Sequence, residues 1–108
     1  AEAGDPGALG ALAGRFGDAD RSVRQAAVWA SGRLATRGDG SSVAALRPCL
    51  SDTDQGVRHV ALWAVSKVAA RGDESAIAAV TARLEDADEG VRRLAERVLR
   101  RLRGGRRP

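Results

Sequence analysis

Aspartate and arginine recur together three times in this sequence, and the two residue types together could bind an anion. Each copy reads Asp-x-Asp-x-x-Val-Arg, and the copies begin 34 residues apart at Asp18, Asp52 and Asp86. Such a period is typical of repeat proteins, whose units bury their faces against one another. Because every unit carries the same residues, we predict a structural ladder rather than a functional anion site. Its members are Asp18, Arg24, Asp52, Arg58, Asp86 and Arg92.

A second recurring set contains both tryptophans and several cations. At about 100° per residue, these positions lie away from the apolar stripe that begins at Val23, so they cannot all join the core. Tryptophan and arginine dominate many interfaces, which favours a partner-binding surface. The alternative is that the rings pack between helices and stiffen the stack. The predicted surface comprises Gln25, Trp29, Arg33, His59, Val60, Trp63, Lys67, Arg93, Arg97 and Arg101, with a cationic ridge at Arg33, Lys67 and Arg101.

The residues best suited to catalysis or metal binding are isolated. His59 is the single histidine and Cys49 the single cysteine. A metal site needs several ligands, and a nucleophile needs an adjacent base, so we predict no metal, no cofactor and no enzymatic activity. Cys49 shares its place in the repeat with Arg15 and Arg83, and we therefore expect it to be partly exposed. The glycines around Asp39 and Asp73 are interpreted as helix stops, not phosphate loops.

Helices must position these residues, because the apolar spacings are 3 and 4. The pattern predicts three antiparallel pairs, with the first pair at about 6–16 and from Asp20 to about Thr36. Ser41 or Ser42 is expected to begin the third helix, and Pro48 to kink or end it. Asp5, Asp20, Asp54 and Asp88 are the predicted caps. The predicted buried stripes of the second helices are Val23, Ala27, Ala30 and Leu34, then Val57, Ala61, Ala64 and Val68, then Val91, Ala95, Val98 and Leu102.

This pattern, Asp-x-Asp-x-x-Val-Arg-x-x-Ala followed by Gly-Asp and a new apolar helix, resembles the HEAT-like repeat of the phycobilisome-lyase type. The resemblance implies an all-α superhelix (a HEAT-like solenoid) of three helix pairs, with the second helices lining a concave, protein-binding face. It also implies that the ladder arginines pair with aspartates in the turns of the same or a neighbouring unit. The expected organisation is one domain over 1–103, with units at about 6–38, 41–72 and 75–103 and a basic flexible tail at 104–108.

Positive charge is concentrated at the C-terminal end of the sequence. Residues 1–90 hold 10 Arg or Lys against 13 Asp or Glu, whereas residues 91–108 hold 8 Arg against Glu96 alone. We predict a non-catalytic module that binds a protein partner, either as a fragment of a longer array or as an accessory subunit of a larger assembly. The alternative is binding of nucleic acid or an acidic surface through the arginine-rich last helix and tail.

The remaining expectations concern location. No run approaches the roughly 20 apolar residues of a membrane span, so we expect a soluble, intracellular protein. The sequence contains no methionine, which suggests a processed or excised piece and is compatible with an imported organellar subunit.

Overall fold

Six α-helices make up most of the computed structural model, which describes residues 5–104. Within that range there is no β-strand, and the predicted all-α class with three helix pairs is confirmed. The predictions for residues 1–4 and 105–108, which include most of the predicted tail, lie outside the described residues. The helices are α1 (Pro6–Ala13), α2 (Arg21–Leu34), α3 (Gly40–Leu46), α4 (Gln55–Val68), α5 (Glu74–Thr81) and α6 (Glu89–Leu102).

An aspartate caps the N-terminus of every one of these helices. Its carboxylate accepts backbone N–H groups that have no partner inside the helix, and its charge suits the helix dipole. The four predicted caps are confirmed, and Asp39 and Asp73 do the same for α3 and α5.

The predicted start of α3 is wrong. The helix begins at Gly40, one residue before Ser41, and Asp39 is its cap. The hydroxyls of Ser41 and Ser42 donate to the Asp39 carboxylate instead of opening the helix themselves. These two hydrogen bonds, that of Ser42 foremost, lower the pKa of Asp39.

The first helices are shorter than predicted. α1 ends at Ala13 rather than near residue 16, and α3 ends before Pro48, as expected. A 3-10 segment follows α3 at Arg47–Ser51, and a similar one follows α5 at Ala82–Glu85, where no proline is present. The 3-10 segment therefore recurs in the second and third units without requiring a proline, and Pro48 is compatible with it.

The helices form two layers with the core between them. α2, α4 and α6 are consecutive neighbours in one layer, and each packs against its own first helix in the other. The predicted stripes of α4 and α6 are confirmed as buried, whereas Val23, Ala30 and Leu34 of α2 are only half-buried. α4 is covered on three sides and buries Val57, Ala61, Leu62, Ala64, Val65 and Val68.

The predicted helix stops also join neighbouring units. Gly38 has φ +91° and donates its N–H to the carbonyl of Val68 at 2.6 Å. Gly72 has φ +81° and donates to Leu102 at 2.7 Å. Glycine is favoured at these two turns, since other residues are strained at positive φ.

The longest described helices, α2, α4 and α6, have 14 residues each. Between residues 5 and 104, none is both long and apolar enough to cross a bilayer.

Candidate functional site

Two of the ladder arginines, Arg24 and Arg58, join their unit to the next through paired hydrogen bonds. Arg24 donates from Nε and Nη2 to the Asp52 carboxylate at 2.8 and 3.0 Å. Arg58 donates in the same way to Asp86 at 2.8 and 2.9 Å. Both pairs are largely shielded from water, so these contacts exceed ordinary surface ion pairs in strength.

Competing effects set the pKa of each ladder carboxylate. Burial raises the pKa of Asp52, but hydrogen bonds from Arg24 and from the Asp54 N–H outweigh it and leave the pKa below its usual value. For Asp86, burial is likewise outweighed by Arg58, the Asp88 N–H and Arg83, and the pKa is again lowered. Asp52 and Asp86 are therefore charged carboxylates at neutral pH.

The tryptophan face is the surface of α2 and α4 that carries Trp29, Trp63, Arg33 and Lys67. The two indole rings are stacked, with centroids 6.5 Å apart and planes inclined by 14°. Arg33 lies over Trp29 at 5.1 Å, and Lys67 lies over Trp63 at 5.9 Å. Cations over aromatic faces are attracted by the ring quadrupole, so this arrangement holds the rings and the charges together.

The two tryptophans differ in exposure. Trp63 is half-buried and packs against the core, with its ring against Gly32, where a Cβ would lie 2.8 Å from Cζ3 of the indole. Trp29 is 49% exposed and is the one large hydrophobic residue that is exposed within 5–104. The ring of Trp63 is thus packed within the stack, whereas about half of the Trp29 side chain is exposed to solvent.

Arg101 does not extend the cationic ridge, and this part of the prediction is corrected. Its Nε donates to the Ser66 hydroxyl at 3.1 Å, and its Nη2 donates to the carbonyl of Ala69 at 2.8 Å. Burial, followed by the charges of Arg37 and Arg71, lowers the pKa of Arg101. The side chain binds the end of α4 and the residue after it, where carbonyls have no helical partner.

The other predicted surface residues fall into two groups. His59, Arg93 and Arg97 are exposed, whereas Gln25 and Val60 are half-buried. Gln25 and Val60 line a depression of about 410 Å³ beside Trp29. Its wall also includes Ala26, which helical spacing places on the same face as Trp29, and Ser22, which was not predicted. Ser22 lies seven residues before Trp29 on the same side of α2, and this spacing is the signal that could have found it.

Cys49 is buried, so the expectation of partial exposure is wrong. It lies in the 3-10 segment after α3, at 5% relative exposure. That segment packs against α4, and Cys49 is part of the hydrophobic core there. Burial and the nearby charge of Asp52 raise the pKa of the thiol to about 11. A thiol in this state is a poor nucleophile at neutral pH.

Over 5–104, no three His, Cys, Asp or Glu side chains come together in a way that could hold a metal ion.

Comparison with known proteins assigns this sequence to a family. A family model described as HEAT repeats matches residues 10–100, and the chain therefore belongs to the HEAT-repeat family. HEAT repeats generally mediate protein–protein interaction, which is consistent with a scaffold role. No curated protein matches the chain.

Proposed function

We propose that this HEAT-repeat protein binds a protein partner through the tryptophan face and has no catalytic role. The observation that carries the proposal is the half-exposed Trp29, which has Arg33 over its ring and a depression of about 410 Å³ at its side. Exposed aromatic and arginine side chains next to a concavity are typical of interface hot spots. An apolar side chain of the partner fills the depression, and its acidic groups face Arg33 and Lys67.

Two finer points belong to the same proposal. The tryptophan face is the concave face of the solenoid, and the repeats are of the phycobilisome-lyase type. The repeated Asp-x-Asp-x-x-Val-Arg pattern supports this subclass.

A longer array or a large assembly is the proposed setting. In its support, α1 has no buried residue, and a hollow of about 400 Å³ lies between α1 and α3.

Site-specific photo-crosslinking tests the proposal. Benzoylphenylalanine is placed at Gln25 or His59 on the tryptophan face, or at Arg47 or Glu74, which are exposed on the first helix of a pair or just after it. Incubation in extract of the source cells should crosslink one partner from the first two positions only. Trp29→Ala should weaken capture roughly 30-fold, since truncating a hot spot costs about 2 kcal/mol or more.

Arg33→Ala and Arg47→Ala are a matched pair of variants for this experiment. The first removes the cation over Trp29, whereas the second removes an equal charge elsewhere and should change nothing. Equal crosslinking from both sets of positions, or capture that survives Trp29→Ala, contradicts the proposal. Circular dichroism confirms in each case that the variants remain folded.

Nucleic acid is the second candidate ligand, and exposed Arg93, Arg97, Arg100 and Arg103 favour it. Binding of this kind would weaken steeply with salt and would disappear when residues 103–108 are removed. Salt-insensitive or absent binding of oligonucleotides eliminates it.

A further inference from the structure

The two inner junctions of the repeat show what a ladder guanidinium binds. Nη1 of Arg24 donates to the carbonyls of Asp18 and Ala19 in its own turn, at 2.8 and 3.3 Å. Nη1 of Arg58 donates in the same way to two carbonyls of its own turn. The turn thereby orients the guanidinium. The other edge, Nε and Nη2, then receives both oxygens of one aspartate from the next unit.

Arg92 has the same orientation but lacks the carboxylate. Its Nη1 donates to the carbonyls of Asp86 and Ala87 at 2.7 and 3.2 Å. Across residues 5–104, no acidic side chain pairs with its Nε or Nη2. The guanidinium is therefore held by its turn in the geometry that binds a carboxylate at the two inner junctions.

The surroundings of Arg92 favour an acidic ligand. Four acidic residues at 85–89 precede Arg92, of which Asp86 is paired with Arg58 and Arg83 and Glu89 with Arg93. By contrast, residues 91–104 contain six arginines and one acidic residue, Glu96. Of these arginines, Arg93 is paired with Glu89, whereas Arg97, Arg100 and Arg103 are exposed. The positive potential of this end attracts acidic segments and repels basic ones.

The ligand is not another stacked unit or a second copy of the chain. Val28 and Leu62 occupy one buried position of the inner junctions, and the third unit has exposed Glu96 there. At a second position the inner junctions have buried Gly32 and half-buried Ser66, where the third unit has exposed Arg100. Stacking would bury both charged side chains, at a high desolvation cost.

We propose that Arg92 is a carboxylate-binding site for an acidic segment of a partner protein, separate from the tryptophan face. The segment presents an aspartate in a turn, as Asp52 and Asp86 do at the inner junctions. In those junctions the N–H two residues further on also donates to the carboxylate, from Asp54 and Asp88. An Asp-x-Asp turn is therefore the ligand that this site matches.

Nuclear magnetic resonance of the arginine Nε–H groups of the full chain tests the proposal. The probe is the chain's own turn, residues 50–56, as a peptide with acetyl and amide ends. It should shift the Arg92 Nε–H signal in a saturable way. The same peptide with Asp52→Asn should bind at least tenfold more weakly. The amide is neutral and has one oxygen, so it cannot accept two charge-assisted hydrogen bonds from the guanidinium.

Two lysine variants separate the paired geometry from charge alone. Arg92→Lys keeps the charge but loses the planar fork, and it should weaken peptide binding at least fivefold. Arg100→Lys is the matched control and should change binding less than twofold. Thermal melting reports whether Arg92→Lys is folded; if it is not, the comparison of the two peptides on the unaltered chain decides the question.

Several results would overturn the proposal. These are an unmoved Arg92 signal, equal binding of the two peptides, or equal effects of the two lysine variants. In another outcome, a single-stranded DNA 12-mer binds the unaltered chain and Arg92→Lys equally well, while the peptide binds neither. This result would show that the arginine-rich end binds phosphate and not a carboxylate. A dimer in sedimentation that Arg92→Lys dissociates would assign it to a second copy.

Discussion

Asp86 is the ladder carboxylate that accepts the most hydrogen bonds within residues 5–104. Its carboxylate accepts two hydrogen bonds from Arg58, one from Arg83 and one from the Asp88 N–H. It is 5% exposed, so water cannot replace these donors when one is lost. One side chain thereby joins the second unit to the third and also orders the turn before α6.

Asp86→Asn should lower the free energy of unfolding by about 2–3 kcal/mol at neutral pH, because hydrogen bonds to charged groups are the stronger ones. The pKa of Asp86 is lowered in the folded state, so its contribution is complete above the unfolded pKa of about 3.9. It is lost as pH falls through the folded pKa. The difference between the two proteins should therefore shrink below about pH 4, as measured by urea unfolding followed by tryptophan fluorescence.

Glu85→Gln is the control for this measurement, since Glu85 is exposed and adjacent. Its effect should remain within about 0.5 kcal/mol at every pH. A difference for Asp86→Asn that stays constant down to pH 2.5 would show that the charge is not what stabilises the junction.

At the scale of the helices, small residues decide how closely α2 approaches α4. Gly32 lies at the crossing, where a Cβ would stand 2.8 Å from the Trp63 ring and 3.0 Å from the Ala64 backbone. A Cβ added at Gly10 of α1, by contrast, would meet nothing within 4 Å. The same residue type thus serves close packing in one helix and only weakens the other.

Gly32→Ala should therefore destabilise the protein by about 1–2 kcal/mol, because overpacking outweighs the gain in helix propensity of about 1 kcal/mol. Gly10→Ala should stabilise it by about 0.5–1 kcal/mol, since only the propensity changes. Chemical denaturation measures both. A stabilised Gly32→Ala variant would mean that α2 and α4 can separate without cost.

At the scale of the whole molecule, packing is strongest in the middle and weakest at α1. The two-layer slab measures 41 × 29 × 16 Å, and α4 lies between α2 and α6. α1 buries no residue and borders the hollow next to α3, where Ser31 has a buried hydroxyl without a partner. Val65 and Leu99 fill the same position in the other two units.

Amide hydrogen exchange should follow this gradient, because exchange reports local opening. We expect the amides of α4 to be the slowest and those of α1 to exchange at least 100-fold faster. Mass spectrometry of peptides from the labelled protein measures both helices in one experiment. Equal protection of α1 and α4 would show that the units unfold only as one.

The sequence by itself determined the period of 34, the number of helices and the capping role of Asp5, Asp20, Asp54 and Asp88. These features depend on contacts within one helix or within three residues of a cap, so the local pattern is sufficient. Two caps, Asp39 and Asp73, were missed because glycine beside them signalled only a stop. The position of the tryptophan face also followed from helical spacing.

Only the tertiary structure decided which residues of that face are free. Trp29 is exposed and Trp63 is packed although both occupy the same position in the repeat, because Gly32 lies against the second ring and not the first. Arg101 turns to carbonyls at the end of α4, and Cys49 faces α4 from a 3-10 turn. Each outcome depends on a neighbour in another element, and spacing along one helix carries no information about such contacts.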